Sequence, residues 1–431
     1  MDQVQRRISV LHGQLVPFGC TEAAICWDDA LSRSLCKASD APMHARADAP
    51  PVIIGGMLLD VQASPAHGLA LLRGGSVPGK IQQEPGGVAR NIGECLVRLC
   101  KLDSLAGAGL MPLLISAVGH DAAGDLLLSH WRQLGASTQA IHVLPGLRTP
   151  SVSTVFDSGG EVAASIADVG ILEAQLPRLL QLHKQDIQRA PLLILDGNMP
   201  QQTIYEAASM AAAAGVRVWF EPVSVPKAAR VAGALHLLDY ISPNAAELIS
   251  ISEATRQRGS AQAQQRPETG KHTRSEGQHA DQEMRQQHSD QQPEQHSGSG
   301  KAGRRRVLEL QQHIWRVLDA GVERIVLTLG ADGAAICSKS AGGRRIQVEH
   351  MPALPAKLIT TSGAGDCLVA GCCWSLLKGQ ALSAALAHGM AVAHAAVESH
   401  LNVPPKLTEQ QLLNGAAIIQ DGCHQWDIPL R

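Results

Sequence analysis

No apolar run in this 431-residue chain approaches the roughly 18 uncharged positions that a membrane helix needs, because charged side chains interrupt every hydrophobic stretch. A transmembrane protein is excluded on that reading. Excess charge is also missing: 37 basic residues stand against 39 acidic ones, so no net field draws the chain to nucleic acid or an anionic membrane. Aromatic residues make up only 3%, which leaves few side chains to stack on bases. The ten cysteines contain no Cys-x-x-Cys pair and no repeated spacing, so neither a zinc site nor a disulfide framework is legible. A reducing compartment, cytoplasmic or organellar, is the expectation. What the chain does have is length and apolar content, 45% of its residues, enough for a sizeable core.

Residues 1–50 lack periodicity and read as a leader. Arg6, Arg7, Arg33 and Arg46 suit an organellar transit peptide, whereas Asp2, Glu22, Asp28, Asp29, Asp40 and Asp48 suit a plain disordered extension; both stay open. From about 254 to 306 the chain is Gln, His, Ser, Arg, Glu and Gly with almost no apolar residue, the composition of a disordered insert. Its histidines, His272, His279, His288 and His296, converge on no ligand pattern.

The remainder alternates apolar runs (Val52–Leu59, Leu113–Val118, Leu192–Leu195, Val216–Phe220, Tyr240–Ser242, Arg324–Thr328) with amphipathic segments such as Asp121–Leu134 and Ile204–Ala214. That order predicts an α/β fold with a mainly parallel sheet covered on both faces. Between Thr149 and Ala164 polar and apolar residues alternate around Ser158-Gly159-Gly160, which predicts a half-exposed hairpin outside the main sheet.

Three stretches carry chemistry. In Thr360-Thr361-Ser362-Gly363-Ala364-Gly365-Asp366, glycines precede a long Ala-rich helical run, leaving amides free at its positive end to hold phosphate oxygens. Asp366 beside them can accept the proton of an attacking hydroxyl, or can simply be an acid favoured in a first helical turn. Gly86-Gly87-Val88-Ala89-Arg90-Asn91 opens another helix, with Asn91 able to pair with sugar hydroxyls. Asp60 ends the strand that begins at Val52, where α/β sheets bind ligands, although a turn or cap role is equally available. Gly74-Gly75-Ser76-Val77-Pro78-Gly79-Lys80 has P-loop spacing, but Ile81 replaces the metal-binding hydroxyl and no clear strand precedes it. His388, His394 and His400 recur every six residues and so rotate off a common helical face.

Together these segments resemble the PfkB, or ribokinase-like, carbohydrate kinase family. Val118-Gly119-His120-Asp121-Ala122-Ala123-Gly124, Ser242-Pro243-Asn244-Ala245-Ala246-Glu247-Leu248 and Thr328-Leu329-Gly330-Ala331-Asp332-Gly333 supply further family-like pieces in the right order, over about residues 51 to 405 without the insert. The resemblance implies a three-layer α/β/α sandwich with a small β-sheet lid. It implies Asp366 as catalytic base and Gly363, Ala364 and Gly365 as the anion hole. Asp60, Gly86, Gly87 and Asn91 would bind substrate, and Asn244, Thr328, Gly330 and Gly333 the nucleotide. Glu247 would organise Mg²⁺ through water, and ATP would be the phosphoryl donor.

Thr360 stands where many members carry Asp or Asn, which puts activation by a monovalent cation in doubt. Gly86–Glu94, Gly55–Asp60 and the lid segment from Thr149 to Ala163 look most like the pseudouridine kinases of the family. That likeness implies phosphorylation of the 5′-hydroxyl of pseudouridine, with a separate pseudouridine-5′-phosphate glycosidase acting in the same pathway. The same chemistry on ribose, adenosine or a hexose, and a catalytically silent scaffold, are the competing readings. The resemblance implies a small-molecule partner, with no nucleic acid and no membrane; whether the chain works as a monomer or a homodimer is not legible.

Overall fold

The protein is described here from a computed structural model that covers residues 49–72, 74–102, 111–264 and 299–429. Nearly all of the leader and the central part of the polar insert, with their expected disorder, lie outside the described residues. In chain order the strands are β1 (Val52–Ile54), β2 (Leu58–Pro65), β3 (Gly79–Gly86), β4 (Leu113–Gly119), β5 (Ile141–Leu144), β6 (Ser151–Phe156), β7 (Val162–Asp168), β8 (Leu192–Asp196), β9 (Arg217–Glu221), β10 (Tyr240–Ile241), β11 (Arg324–Thr328), β12 (Ala334–Lys339), β13 (Arg345–Met351) and β14 (His424–Pro429). The helices are α1 (Val88–Leu102), α2 (Ala122–Gln133), α3 (Gly170–Leu182), α4 (Lys184–Arg189), α5 (Gln201–Ala213), α6 (Val225–Ala228), α7 (Ala245–Gln264), α8 (Ser299–Glu309), α9 (Gln311–Asp319), α10 (Ala364–Leu377), α11 (Leu382–Val397) and α12 (Glu409–Asp421).

Ten strands form the main sheet in the order β14-β13-β12-β11-β10-β9-β8-β1-β4-β5. From β5 to β11 every neighbour is parallel; β12, β13 and β14 extend one edge antiparallel. Helices cover both faces because the central strands are apolar on both sides. Val52 and Ile54 of β1 pack into one core with Leu193 and Phe220, while Ile53 between them packs into the other with Leu114 and Trp131. The three-layer α/β/α sandwich is therefore the observed architecture. No helix among the described residues is long and apolar enough to cross a membrane.

Four strands make a second sheet, β3-β2-β6-β7. The hairpin expected at 149–164 is its β6–β7 arm, and the P-loop-like stretch runs into its strand β3, with Lys80 exposed. Val52–Leu59 is not one strand. The chain leaves the main sheet after Ile54, turns through Gly55-Gly56, and enters the small sheet at Leu58. A side chain at position 55 would collide with the buried Asp196 carboxyl, so the break is where only glycine fits. Asp60 accordingly belongs to the lid strand β2 and not to the end of a core strand.

The polar stretch is also shorter than its composition suggests. Helix α7 runs on to Gln264, and α8 is already helical at Ser299. Apolar Val307 anchors α8, Gly303 sits against the His350 ring, and Arg306 pairs with Asp332. Polar composition at 256–260 and 304–306 reflects the exposed turns of helices that continue from packed segments.

After β1 the chain moves to β4 and β5 on one side and then crosses to β8 on the other, so the connection reverses at β1. A crevice opens at the carboxyl ends of strands at such a point. Helix α10 starts beside it, positioned by very close packing against α11. A Cβ at Gly371 would lie 2.7 Å from Gly389 Cα, and one at Gly389 would strike the Leu368 carbonyl and Cys372 Sγ. Replacing Gly389 by Val should therefore cost about 1–3 kcal/mol of stability by forcing the helices apart. Equilibrium denaturant unfolding checks this, and an unchanged midpoint would contradict the close approach.

Candidate active site

Helix α10 begins at a left-handed Gly363, φ +75°, whose missing side chain admits the backbone of Asn402. The first intrahelical bond near this end runs from Cys367 N to Gly363 O, so the amides of Gly365 and Asp366 precede the helical ladder, while Ala364 N donates to Thr361 O at 3.4 Å. A Cβ at Gly365 would meet nothing within 4 Å, so that surface is open to a ligand. Asp366, in the first turn, is 8% exposed. Its Oδ2 accepts a 2.6 Å hydrogen bond from Asn91 Nδ2, from the first turn of α1. Burial raises the Asp366 carboxyl to about 7, against the lowering effects of the Asn91 bond and the Arg90 charge; Asp196 and Asp60 add to the rise. A carboxyl poised near neutrality, beside uncovered helix amides, can take a proton while those amides hold negative charge.

Asp60, Gly86, Gly87 and Asn91 converge on this point. Asp60 on β2 pairs across the lid with Glu84 and lies against Gly86, where any side chain would collide with its carboxylate. Gly87, φ +97°, passes so close to the Gly56 carbonyl that a Cβ would not fit. Burial lifts the Asp60 carboxyl to about 6, opposed by Arg90. Asn402 bonds the Asp60 side chain and accepts from Ser362 Oγ at 2.7 Å, tying the lid to the loop before α10.

The residues expected on the nucleotide side group separately. Asn244 and Glu247 bond reciprocally: Glu247 N donates to Asn244 Oδ1 and Asn244 N to Glu247 Oε2, both at 3.0 Å. That is a capping box for α7, a structural role the pair fills in any case. Thr328 bridges to Asn244 through the backbone, and the Gly330–Asp332 turn follows. Gly330 faces open space, whereas Gly333, φ +94°, abuts the Met351 carbonyl.

Several site residues were missed in the sequence. Asp196, fully buried at the end of β8, accepts from Gly56 N at 2.8 Å, Ala89 N at 3.1 Å, and Asn198 N and Nδ2 at 2.9 Å each. Glu221, ending β9, hydrogen-bonds Ser242 and is pushed well above the usual carboxylate range, mainly by burial and further by Asp366 and Glu247. Each is an acid closing an apolar strand, the cue that singled out Asp60. Asn402 follows a helix in an unpatterned loop and offered no cue.

Glu221 and Glu247 bear on Mg²⁺. Among the described residues no three acidic, His or Cys side chains cluster as a metal cage. Mg²⁺ usually keeps several waters and leans on one or two carboxylates plus phosphates, so two neighbouring buried carboxylates fit it. Thr360 instead uses its hydroxyl to accept from Ser362 N at 3.1 Å. His388 and His394 bond separate partners, Ala384 O and Pro355 O, in keeping with structural roles. The seven cysteines among the described residues are free thiols.

The chain matches the family described as "pfkB family carbohydrate kinase" over residues 53–274 and 301–408, a gap that falls within the polar insert. It is 31% identical over 409 residues to a pseudouridine kinase of Arabidopsis thaliana, covering 86% of this chain and 97% of that one. It is 34% identical over 201 residues to a pseudouridine kinase of Escherichia coli K12, covering 47% of this chain and 60% of that one. Its fold superposes on Arabidopsis thaliana ribokinase complexed with ribose and ATP with a TM-score of 0.62, covering 85% of this chain and 99% of that one at 17% identity.

The electrostatics generate a stability prediction. Asp366 binds its proton more tightly folded, near 7, than unfolded, near 3.8, so its ionisation costs stability progressively as pH rises between those values. Asp366→Asn should raise the melting temperature at pH 8, and the gain should vanish below about pH 4, where both states are protonated. Thermal unfolding at the two pH values measures this; a variant less stable at pH 8 would contradict the buried carboxylate's cost.

Proposed function

The chain belongs to the pfkB family of carbohydrate kinases, and from that premise we propose that it transfers the γ-phosphoryl group of ATP to the 5′-hydroxyl of pseudouridine. It is a phosphotransferase with an alcohol acceptor, and ribokinase-like kinases use ATP. The observation that carries the mechanism is Asp366: a buried carboxyl near neutrality, held by Asn91 at the amide-rich start of α10. Asp366 accepts the proton of the attacking hydroxyl as its oxygen bonds to the γ-phosphorus. The bond from that phosphorus to the bridging oxygen of ADP breaks, and ADP leaves with the electron pair. The Gly363–Gly365 amides hold the charge of the transferring group.

Asp60 and Asn91, with the glycine approach at Gly86 and Gly87, hold the acceptor's ribose hydroxyls. Asn244, Thr328, Gly330 and Gly333 would line the nucleotide, and Glu247 and Glu221 would hold Mg²⁺ through water. When bound, the ion neutralises phosphate charge. The lid sheet, through Asp60, covers the acceptor and excludes water that would otherwise hydrolyse ATP.

Pseudouridine as acceptor is supported by the two curated relatives of that name and by the Gly86–Glu94 and Thr149–Ala163 likenesses. Its ring is joined to ribose through carbon and exposes an extra ring N–H that uridine lacks, so a site acceptor can discriminate the two. The phosphorylated product keeps that carbon–carbon bond, which a separate glycosidase would break.

The test is ATP turnover and product phosphorylation by purified protein with Mg²⁺ and a panel of pseudouridine, uridine, ribose, adenosine and fructose. Pseudouridine should have the highest kcat/KM, with phosphorus NMR placing the phosphate on the 5′-oxygen. Preference for another member would move the substrate and keep the mechanism, and no transfer to any from folded, ATP-binding protein would favour the scaffold. With the preferred acceptor, Asp366→Asn should lower kcat by about 10²-fold or more while leaving both substrates' binding within a fewfold. Near-normal turnover would remove Asp366 as base.

A further inference from the structure

Arg90, next to Asn91 in the first turn of α1, is 3% exposed, and its surroundings are costly for a cation. Nη1 donates to Glu94 Oε2, and Nη2 donates to the Pro85 carbonyl at 2.7 Å and to Asn91 Oδ1. Nε is buried without a partner. Glu94 is itself fastened: His130 Nε2 lies 2.6 Å from Oε2, and Arg98 donates through Nε at 2.9 Å and Nη2 at 2.6 Å to Oε1. These partners hold its carboxyl down at about 2 against the opposing effect of burial, so Glu94 stays ionised as an anchor. A buried ion pair with an orphaned donor is poor value for stability alone, since apolar side chains of similar volume often serve as well.

Its use lies one residue on. An Asn amide can sit in either of two flipped orientations, one placing oxygen and the other nitrogen towards a given neighbour. Guanidinium only donates, so it accepts no orientation of Asn91 except the one with Oδ1 towards Arg90. Nδ2 is thereby turned to Asp366, and Asp366 Oδ2 must act as acceptor. The other acidic groups bearing on Asp366 are Asp60 of β2, Asp196 of β8 and Glu221 of β9, all carboxyls that burial raises. The neighbouring Cys367 thiol is pushed well above its ordinary range by a hydrogen bond with Cys95 and by burial. Arg90 is the cation that bears on Asp366 and Asp60, and Lys227 bears on Asp196.

We propose that Arg90 is a positioning residue for phosphoryl transfer: it locks the Asn91 amide with its donor on Asp366, and its charge offsets the carboxylates around that base. Glu94, braced by His130 and Arg98, holds the guanidinium in place. The inference rests on the reading of Asp366 as base.

The experiment measures kcat and both KM values across pH for the wild type, Arg90→Met, Arg90→Lys and Asp366→Asn, using the acceptor that the panel selects. Arg90→Met removes charge and donor, so the acid limb of kcat should move up by about one pH unit or more. Its kcat should fall by roughly tenfold at pH 7 and recover partly by pH 9, with KM for ATP little changed. Arg90→Lys keeps the charge and loses the fork that spans Glu94, Pro85 and Asn91, so its limb should stay in place while kcat falls at every pH. Equal loss by Arg90→Met at all pH values, or an unshifted limb, would overturn the proposal. If Arg90→Met does not fold, Arg90→Lys decides alone, and wild-type kcat in that variant would overturn it. An inactive Asp366→Asn alongside an unmoved Arg90→Met limb defeats this inference only, whereas an active Asp366→Asn defeats the base assignment beneath it.

Discussion

The hydrogen bond from Asn91 Nδ2 to Asp366 Oδ2 joins the first turns of two helices 275 residues apart, and the site exists only where those turns meet. Each end is placed by a separate constraint. The start of α1 is held by the Asp196 carboxylate, which accepts from Ala89 N and Gly56 N and so fastens the helix to the break between the main sheet and the lid. The start of α10 is held by the glycine contact between α10 and α11 and by Asn402 against Gly363. Glycine is required at positions 55, 86, 87, 363, 371 and 389 for one reason: backbone or carboxylate occupies the space a side chain would need.

That convergence brings like charges together. Asp60, Asp196, Glu221 and Asp366 are all raised by burial, and the buried Arg90 guanidinium faces two of them, Asp60 and Asp366. For folding this is a cost, since each carboxylate would be cheaper in water. For acid–base chemistry it is an advantage, because burial moves a carboxyl from the range where it is a feeble base to one where it takes a proton near neutral pH. The same physics that makes Asp366 reactive makes it destabilising.

The parallel core was legible because Leu113–Val118, Leu192–Leu195 and Arg324–Thr328 are apolar on both faces, and strands of that kind belong in the middle of a covered sheet. Strands β12 to β14 were not, since one-sided alternation in β13 and polar residues in β14 resemble exposed loop. Gly86–Asn91 and Gly363–Asp366 could be read as site segments because closely spaced glycines before a helix limit what the backbone can do there. Asp196, Glu221 and Asn402 could not, because their place depends on which strand ends lie side by side, and the register is set by long-range pairing rather than local spacing. Asp60 was identified on the wrong strand: the continuous apolar run hid the change of sheet at Gly55-Gly56. Arg90 lay inside a recognised motif, yet only the direction of its donors shows what it holds.

The most direct test of the account is the pH dependence of kcat/KM for the acceptor in the unmodified enzyme, at saturating ATP and Mg²⁺. The account predicts a rate that climbs tenfold per pH unit on the acidic side, bends near pH 7 and then levels, tracking ionisation of the buried Asp366 carboxyl. A rate that stays flat from roughly pH 5 to pH 9 would contradict it, because no group in that range would then need to lose its proton before the hydroxyl attacks.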